Sequence, residues 1–140
     1  MPHWLYKSEP EVWSWDDQFA AGPDGTFWDG VRNHLANNHM KAMQVGERGF
    51  FYHSNDGKAV VGIVEVVKPW APDPKDETGR FGAVTLKAVA PLPSPVGLAA
   101  IKADRRLGEM VLVKNSRLSV QPVTDAEWAA VLDLGGSPGG

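Results

Sequence analysis

The spacing of apolar positions changes several times along the chain, and each change predicts an element. Residues 3–7, His-Trp-Leu-Tyr-Lys, form a short aromatic run that predicts a strand, broken by Ser8-Glu9-Pro10. Ser14 before Trp15, Asp16 and Asp17 has the form of an N-cap with acids in a first helical turn. Gly22-Pro23-Asp24-Gly25 predicts a loop. Leu35, Ala36, Met40 and Met43 recur at helical spacing, which predicts an amphipathic helix over 31–43 with His34, Asn37, Asn38 and Lys41 on its polar face. The most apolar segments, 48–53 and 59–67, predict two strands joined through Ser54-Asn55-Asp56-Gly57, a hairpin signal. Gly62 inside the second strand marks a bulge or a tight bend. Residues 68–80 hold three prolines and several charges, and predict a loop placed to close over a site. A strand over 82–90 is ended by Pro91-Leu92-Pro93, and Ser94-Pro95 opens a short helix towards Ala103. Residues 117–121 predict a last short strand. Thr124-Asp125-Ala126-Glu127 is a capping box that leads a helix ending near Gly135.

Strands of this length, interrupted by a few helices, predict an α+β domain built on a small curved or barrel-like sheet with helices packed outside. A chain of 140 residues suits one domain. That domain is expected over 1–134, with the glycine-rich tail 135–140 disordered. The absence of cysteine excludes disulfides, thiolate metal sites and cysteine nucleophiles. The start of the chain lacks the features of a signal peptide, and no apolar run reaches the roughly 18 residues of a membrane span. A soluble, cytoplasmic protein without a membrane partner is expected, with a monomer favoured. A net charge of −3 argues against broad coating of nucleic acid but leaves room for a local basic patch. Six tryptophans are many for this length, and a Trp N–H needs a partner when buried, so some should lie in a pocket or groove.

The chemistry concentrates in Trp28-Asp29-Gly30-Val31-Arg32-Asn33. Trp28 offers a flat π face, Gly30 lets a ligand approach the backbone, and Arg32 carries a fork that matches phosphate oxygens. Asp29 supplies an acceptor, and Asn33 both a donor and an acceptor for a base edge. A plain alternative makes Trp28 a core anchor and Arg32 a surface residue paired with an acid. The four histidines, at 3, 34, 39 and 53, lack the spacing of a helical zinc site, so no metal or other cofactor is expected. No nucleophile elbow, P-loop or Gly-x-Gly-x-x-Gly occurs. His53 and Ser54 are adjacent on a strand and point to opposite faces, which prevents simple pairing. A nucleobase fits better: it needs an aromatic wall, a few polar groups and a cation for the flanking phosphate. Lys7-Ser8-Glu9 would supply a second polar set. Two other readings are an enzyme acting on a nucleotide or small planar metabolite, and a protein-interaction module.

Four segments together resemble the EVE domain family. They are Trp4-Leu5 with Lys7-Ser8-Glu9-Pro10; Trp28 to Asn33; Phe50-Phe51-Tyr52-His53-Ser54-Asn55; and Ser116 to Val123, and they occur in that family's order. The resemblance implies a PUA-like fold, a small mixed barrel related to the YTH domain. It also implies a module that recognises a modified base, such as 5-methylcytosine or N6-methyladenine, in DNA or RNA. By motif, Trp28 matches a wall of the YTH aromatic cage, and Lys7-Ser8-Glu9 matches a segment that touches the base edge and backbone. Arg117 stands where an arginine contacts phosphate. Base-binding candidates are therefore Trp28, Ser8, Glu9, Asp29, Asn33, His53 and Ser54, with Trp70, Phe81 or neither as the second cage wall. Phosphate-binding candidates are Lys7, Arg32 and Arg117.

Overall fold

The computed structural model describes residues 2–55, 57–115 and 117–136. One mixed sheet organises them, with six strands in the order β2-β5-β4-β3-β1-β6. The strands are β1 (His3–Ser8), β2 (Thr26–Phe27), β3 (Arg48–His53), β4 (Ala59–Pro72), β5 (Gly82–Gly97) and β6 (Val120–Val123). The helices are α1 (Trp15–Ala20), α2 (His34–Ala42), α3 (Leu98–Ala103), α4 (Val111–Lys114) and α5 (Asp125–Leu134). β1 runs parallel to β3, and the other pairings are antiparallel.

Strand alternation sends successive side chains to two cores. Trp4, Tyr6, Phe51, Val64 and Val66 meet α1 and α2 on one face. Leu5, Phe50, Tyr52 and Ile63 meet α3 and α5 on the other. The alternation in β4 is reset by a bulge, because Phe51 pairs with Gly62 but Tyr52 pairs with Val60. Gly62 is needed at that bulge: a Cβ there would stand 2.5 Å from the Trp15 ring.

Several boundaries depart from the sequence reading. The expected barrel does not close among the described residues. The end strands β2 and β6 have two and four residues and are not paired with each other, so the sheet stays open. Helix α2 starts at His34 rather than 31. Asn33 has extended backbone and its Oδ1 accepts the Ala36 N–H at 2.9 Å, so Val31 and Arg32 lie in the preceding loop. Strand β4 runs on to Pro72 instead of stopping at 67. Strand β5 continues through Pro91, Pro93 and Pro95 to Gly97. Prolines are tolerated there because β2 covers only Thr85 and Leu86, which leaves the rest of that side of β5 an edge. The capping boxes at Ser14/Asp17 and Thr124/Glu127 form as read.

Asp56 of the hairpin signal, Ser116 of the fourth motif and 137–140 of the tail lie outside the described residues. Gly135 belongs to the fold rather than to a tail. It is buried, caps α5, and its carbonyl accepts the Ser94 N–H at 3.0 Å.

Candidate functional site

A cleft of about 570 Å³ opens beside the end of β1 and the β2–α2 loop, within the range typical of small-molecule sites. Its lining brings together seven of the base- and phosphate-binding candidates named from the sequence: Lys7, Ser8, Glu9, Trp28, Asp29, Arg32 and Asn33. Two flanking strands, one parallel and one antiparallel, explain the first three. β1 is pinned between β3 and β6, so its C-terminal end emerges at the sheet's rim with Lys7, Ser8 and Glu9 in fixed positions.

Trp28 is at once cleft floor and core. It is 8% exposed and packs edge-to-face on Tyr6 and Phe51, each with ring centroids 5.7 Å away. Its backbone N–H donates to the Val84 carbonyl at 3.0 Å, which ties the loop to β5. Trp28 is therefore a core anchor that also lines the cleft.

Sequence reasoning missed two further aromatic residues of the cleft, Phe27 and a second tryptophan, Trp13. The Glu9 carbonyl accepts both the Val12 and the Trp13 N–H, so the chain turns back after Pro10 and carries Trp13 across the end of β1. The Ser8 hydroxyl donates to the Trp13 carbonyl. The Trp13 indole donates to Gln18 Oε1 at 2.9 Å, and the buried Gln18 donates onward to the Leu86 carbonyl. The available signal was the Ser8-Glu9-Pro10 turn itself, which returns the chain towards its own strand. Val12, an apolar residue 75% exposed, stands at the cleft mouth.

The other candidates serve elsewhere. His53 Nε2 accepts the Trp15 N–H at 3.0 Å and so anchors the start of α1. Burial lowers its pKa, against an opposing pull from Asp16. The Ser54 N–H donates to the Ser8 carbonyl at 2.9 Å, tying β3 to β1, and Ser54 itself does not line the cleft. Trp70 donates its indole N–H to Asn37 Oδ1 at 2.9 Å and carries Lys41 4.8 Å above its ring. Asn37 is accordingly not on a solvated face. It is buried, bonding Trp70, Gly82 and the Arg80 carbonyl. Phe81 packs against His34 and stands 5.8 Å from the Arg32 guanidinium, outside the lining. Neither Trp70 nor Phe81 is a cleft wall. Arg117 is exposed in the turn before β6 and does not line the cleft. Its neighbour Ser119 does, and the Ser119 carbonyl accepts the Lys7 N–H at 2.9 Å.

Charge at the cleft is mixed. Lys7, Arg32, Glu9 and Asp29 all line it. Burial lowers the Lys7 pKa, and its ammonium lies 5.9 Å from the Tyr52 ring. Asp29 pairs with Lys75 at 2.7 Å, and Arg32 pairs with Asp73 at 3.1 Å rather than with the adjacent Asp29. Burial alone would raise the Asp73 pKa. Hydrogen bonds from the Gly30 and Lys75 N–H groups, and the Arg32 guanidinium, offset this and hold it below the ordinary value. Among the described residues, no group of three or more metal-ligating side chains converges. No helix among them is long and apolar enough to cross a membrane.

Fold and cleft together define a mixed-sheet α+β domain with an aromatic floor fit for a flat ligand and polar groups at its rim. The chain belongs to the EVE domain family, whose model matches residues 2–134. It is 34% identical over 164 residues to human thymocyte nuclear protein 1, an alignment covering 94% of this chain and 73% of that protein. The crystal structure of protein Atu2648 from Agrobacterium tumefaciens superposes with a TM-score of 0.95 at 48% identity, covering 98% of this chain and 94% of that one. The crystal structure of human THYN1 in complex with 5-methylcytosine-containing DNA superposes at 0.88 and 34% identity, covering 96% and 98%. The YTH domain of Zygosaccharomyces rouxii MRB1, solved with N6-methyladenosine RNA, shares the fold at a TM-score of 0.59 and 16% identity, covering 96% and 86%.

Proposed function

We propose that this protein reads a modified nucleobase in DNA or RNA, taking the base into the cleft over Trp28 and binding it without chemical change. The observation that carries this reading is the cleft's composition: an aromatic floor and a second tryptophan, Trp13, beside Ser8, Glu9, Asn33 and Arg32. A flat base gains roughly 1–3 kcal/mol from each aromatic partner on which it stacks. Glu9, Ser8 and Asn33 offer the acceptors and donors that tell one base edge from another. The relative solved with 5-methylcytosine-containing DNA supports the same ligand class. Lys7 would meet a flanking phosphate, while Arg32, its charge offset by Asp73, would present its free N–H groups to the base. With so few cations at the cleft and a net charge of −3, affinity should be modest and only moderately salt-dependent.

The test is titration of tryptophan fluorescence with matched oligonucleotides. They carry cytosine, 5-methylcytosine, adenine or N6-methyladenine, in single-stranded and duplex form. Quenching that saturates at lower concentration for one modified base, with the oligonucleotide recovered unchanged, supports the reading. Equal affinity for all bases overturns it, and a chemically altered oligonucleotide makes the protein an enzyme.

A further inference from the structure

Asp73 is a buried carboxylate that accepts three hydrogen bonds beside the cleft, yet it lies outside the cleft lining. Its side chain is 1% exposed. Oδ2 accepts the Gly30 N–H at 2.9 Å and the Arg32 Nη1 donor at 3.1 Å, while Oδ1 accepts the Lys75 N–H at 2.9 Å. A buried carboxylate is costly unless its oxygens are met by donors, and these three meet it from both sides. The contact joins the β4–β5 connection to the loop that follows Trp28, across more than forty residues of sequence. Gly30 makes the geometry possible: its φ of 80° turns the N–H towards Asp73, a conformation that L side chains avoid.

Arg32 is thereby fixed on one side only. Nη1 is committed to Asp73 and to the Val31 carbonyl at 3.0 Å, while 41% of the side chain stays exposed at the cleft. A guanidinium held this way presents its remaining N–H groups at set angles. A released one is a long flexible cation that attracts any phosphate. The nearby Asp29–Lys75 pair does not replace this hold, because both partners are solvent-exposed and such pairs contribute little.

We infer that Asp73 is a positioning residue for recognition: by holding Gly30 and Arg32 as a rigid wall of the cleft, it sets discrimination between bases and restrains general attraction to phosphate. This rests on the base-reading function proposed above. Removing the carboxylate should loosen the wall and free one positive charge beside the cleft.

The test uses the full chain with Asp73→Asn and Asp73→Ala, each first checked for folding by circular dichroism. In the free protein, the Gly30 amide should exchange about tenfold faster or more, as expected for losing a hydrogen bond to a charged acceptor. Binding is then measured with oligonucleotides that differ only at one base, 5-methylcytosine against cytosine, at several salt concentrations. The expected result is a ratio of affinities falling towards one, with the logarithmic salt slope steeper by about 0.7–0.9, the value for one added phosphate contact. Adding Arg32→Gln to Asp73→Asn should return the slope to its original value. A purely structural role would lower both affinities by the same factor and leave the slope alone, and that result overturns the inference. So does failure of both variants to fold, or an unchanged ratio and slope in a folded variant. If the unaltered protein binds both oligonucleotides equally, the base-reading function fails instead. The hold of Asp73 on Gly30 is then judged by amide exchange alone, and unchanged exchange overturns it.

Discussion

Replacing Trp28 by alanine should weaken the fold and the binding together, and the sizes of the two losses can be set in advance. Trp28 is 8% exposed and sits edge-on against Tyr6 and Phe51. Truncating a buried Trp to Ala costs about 3–5 kcal/mol through lost burial and the cavity left behind. A chain near 150 residues loses about 2–4 °C of Tm per kcal/mol, so the melting temperature should fall by about 6–20 °C. Typical stabilities of about 5–15 kcal/mol leave most such variants folded in the cold. Binding measured at low temperature, with folding confirmed on the same sample, then isolates the ligand's loss. Losing one stacking partner worth roughly 1–3 kcal/mol predicts an affinity drop of about 5- to 150-fold. A Tm shift near zero would refute Trp28 as a core residue. A folded variant that binds the modified oligonucleotide as tightly as the parent would refute Trp28 as the cleft floor.

Gly62→Ala should destabilise by about 1–3 kcal/mol, read by chemical denaturation, because its Cβ would stand 2.5 Å from the Trp15 ring at a bulge that leaves little slack. Stability should fall as pH drops below about 6.5. Burial holds the His53 pKa below that ordinary value, so its contribution is complete above 6.5 and is lost as pH falls through the lower folded value. A His53→Gln variant should flatten this dependence in thermal melts between pH 7 and 5, and an unchanged profile would count against it. Thr124→Ala should cost about 0.5–2 kcal/mol by opening the capping box with Glu127, a loss visible in urea titrations. Arg117→Ala should leave affinity and salt slope unchanged in oligonucleotide titrations, because its side chain lies outside the cleft lining.

Local signals carried the fold well where local physics decides it. The capping residues Ser14 and Thr124 mark helix starts because each closes a box with the acid three residues on. Gly62 announces its bulge because only a residue without a side chain fits under Trp15. The prolines of β5 misled for the opposite reason. Whether Pro91 ends a strand depends on whether the neighbouring side is occupied, and β2 is too short to occupy it. Closure of the sheet is likewise decided by the lengths of its two end strands, which the spacing of apolar residues does not express.

The site divides along the same line. Residues 28–33 and 7–9 were legible because their composition is poor for a core and each cluster is contiguous in sequence. Trp70, Phe81 and His53 were nominated by their place in the family's motifs, and such a place does not say which partner an aromatic ring or an imidazole has taken. Trp70 had Asn37, and His53 had the Trp15 amide. The converse case is Asp73. An aspartate in a proline-rich connection reads as one more solvated charge, and nothing local distinguishes it from Asp76 three residues on. What distinguishes it is burial against a loop more than forty residues away, where its carboxylate meets the Gly30 amide and the Arg32 guanidinium. Residues that touch a ligand can be nominated from chemistry. Residues that hold those in place are visible only once the chain has brought distant segments together, and in this cleft a holding residue decides how the visible arginine points.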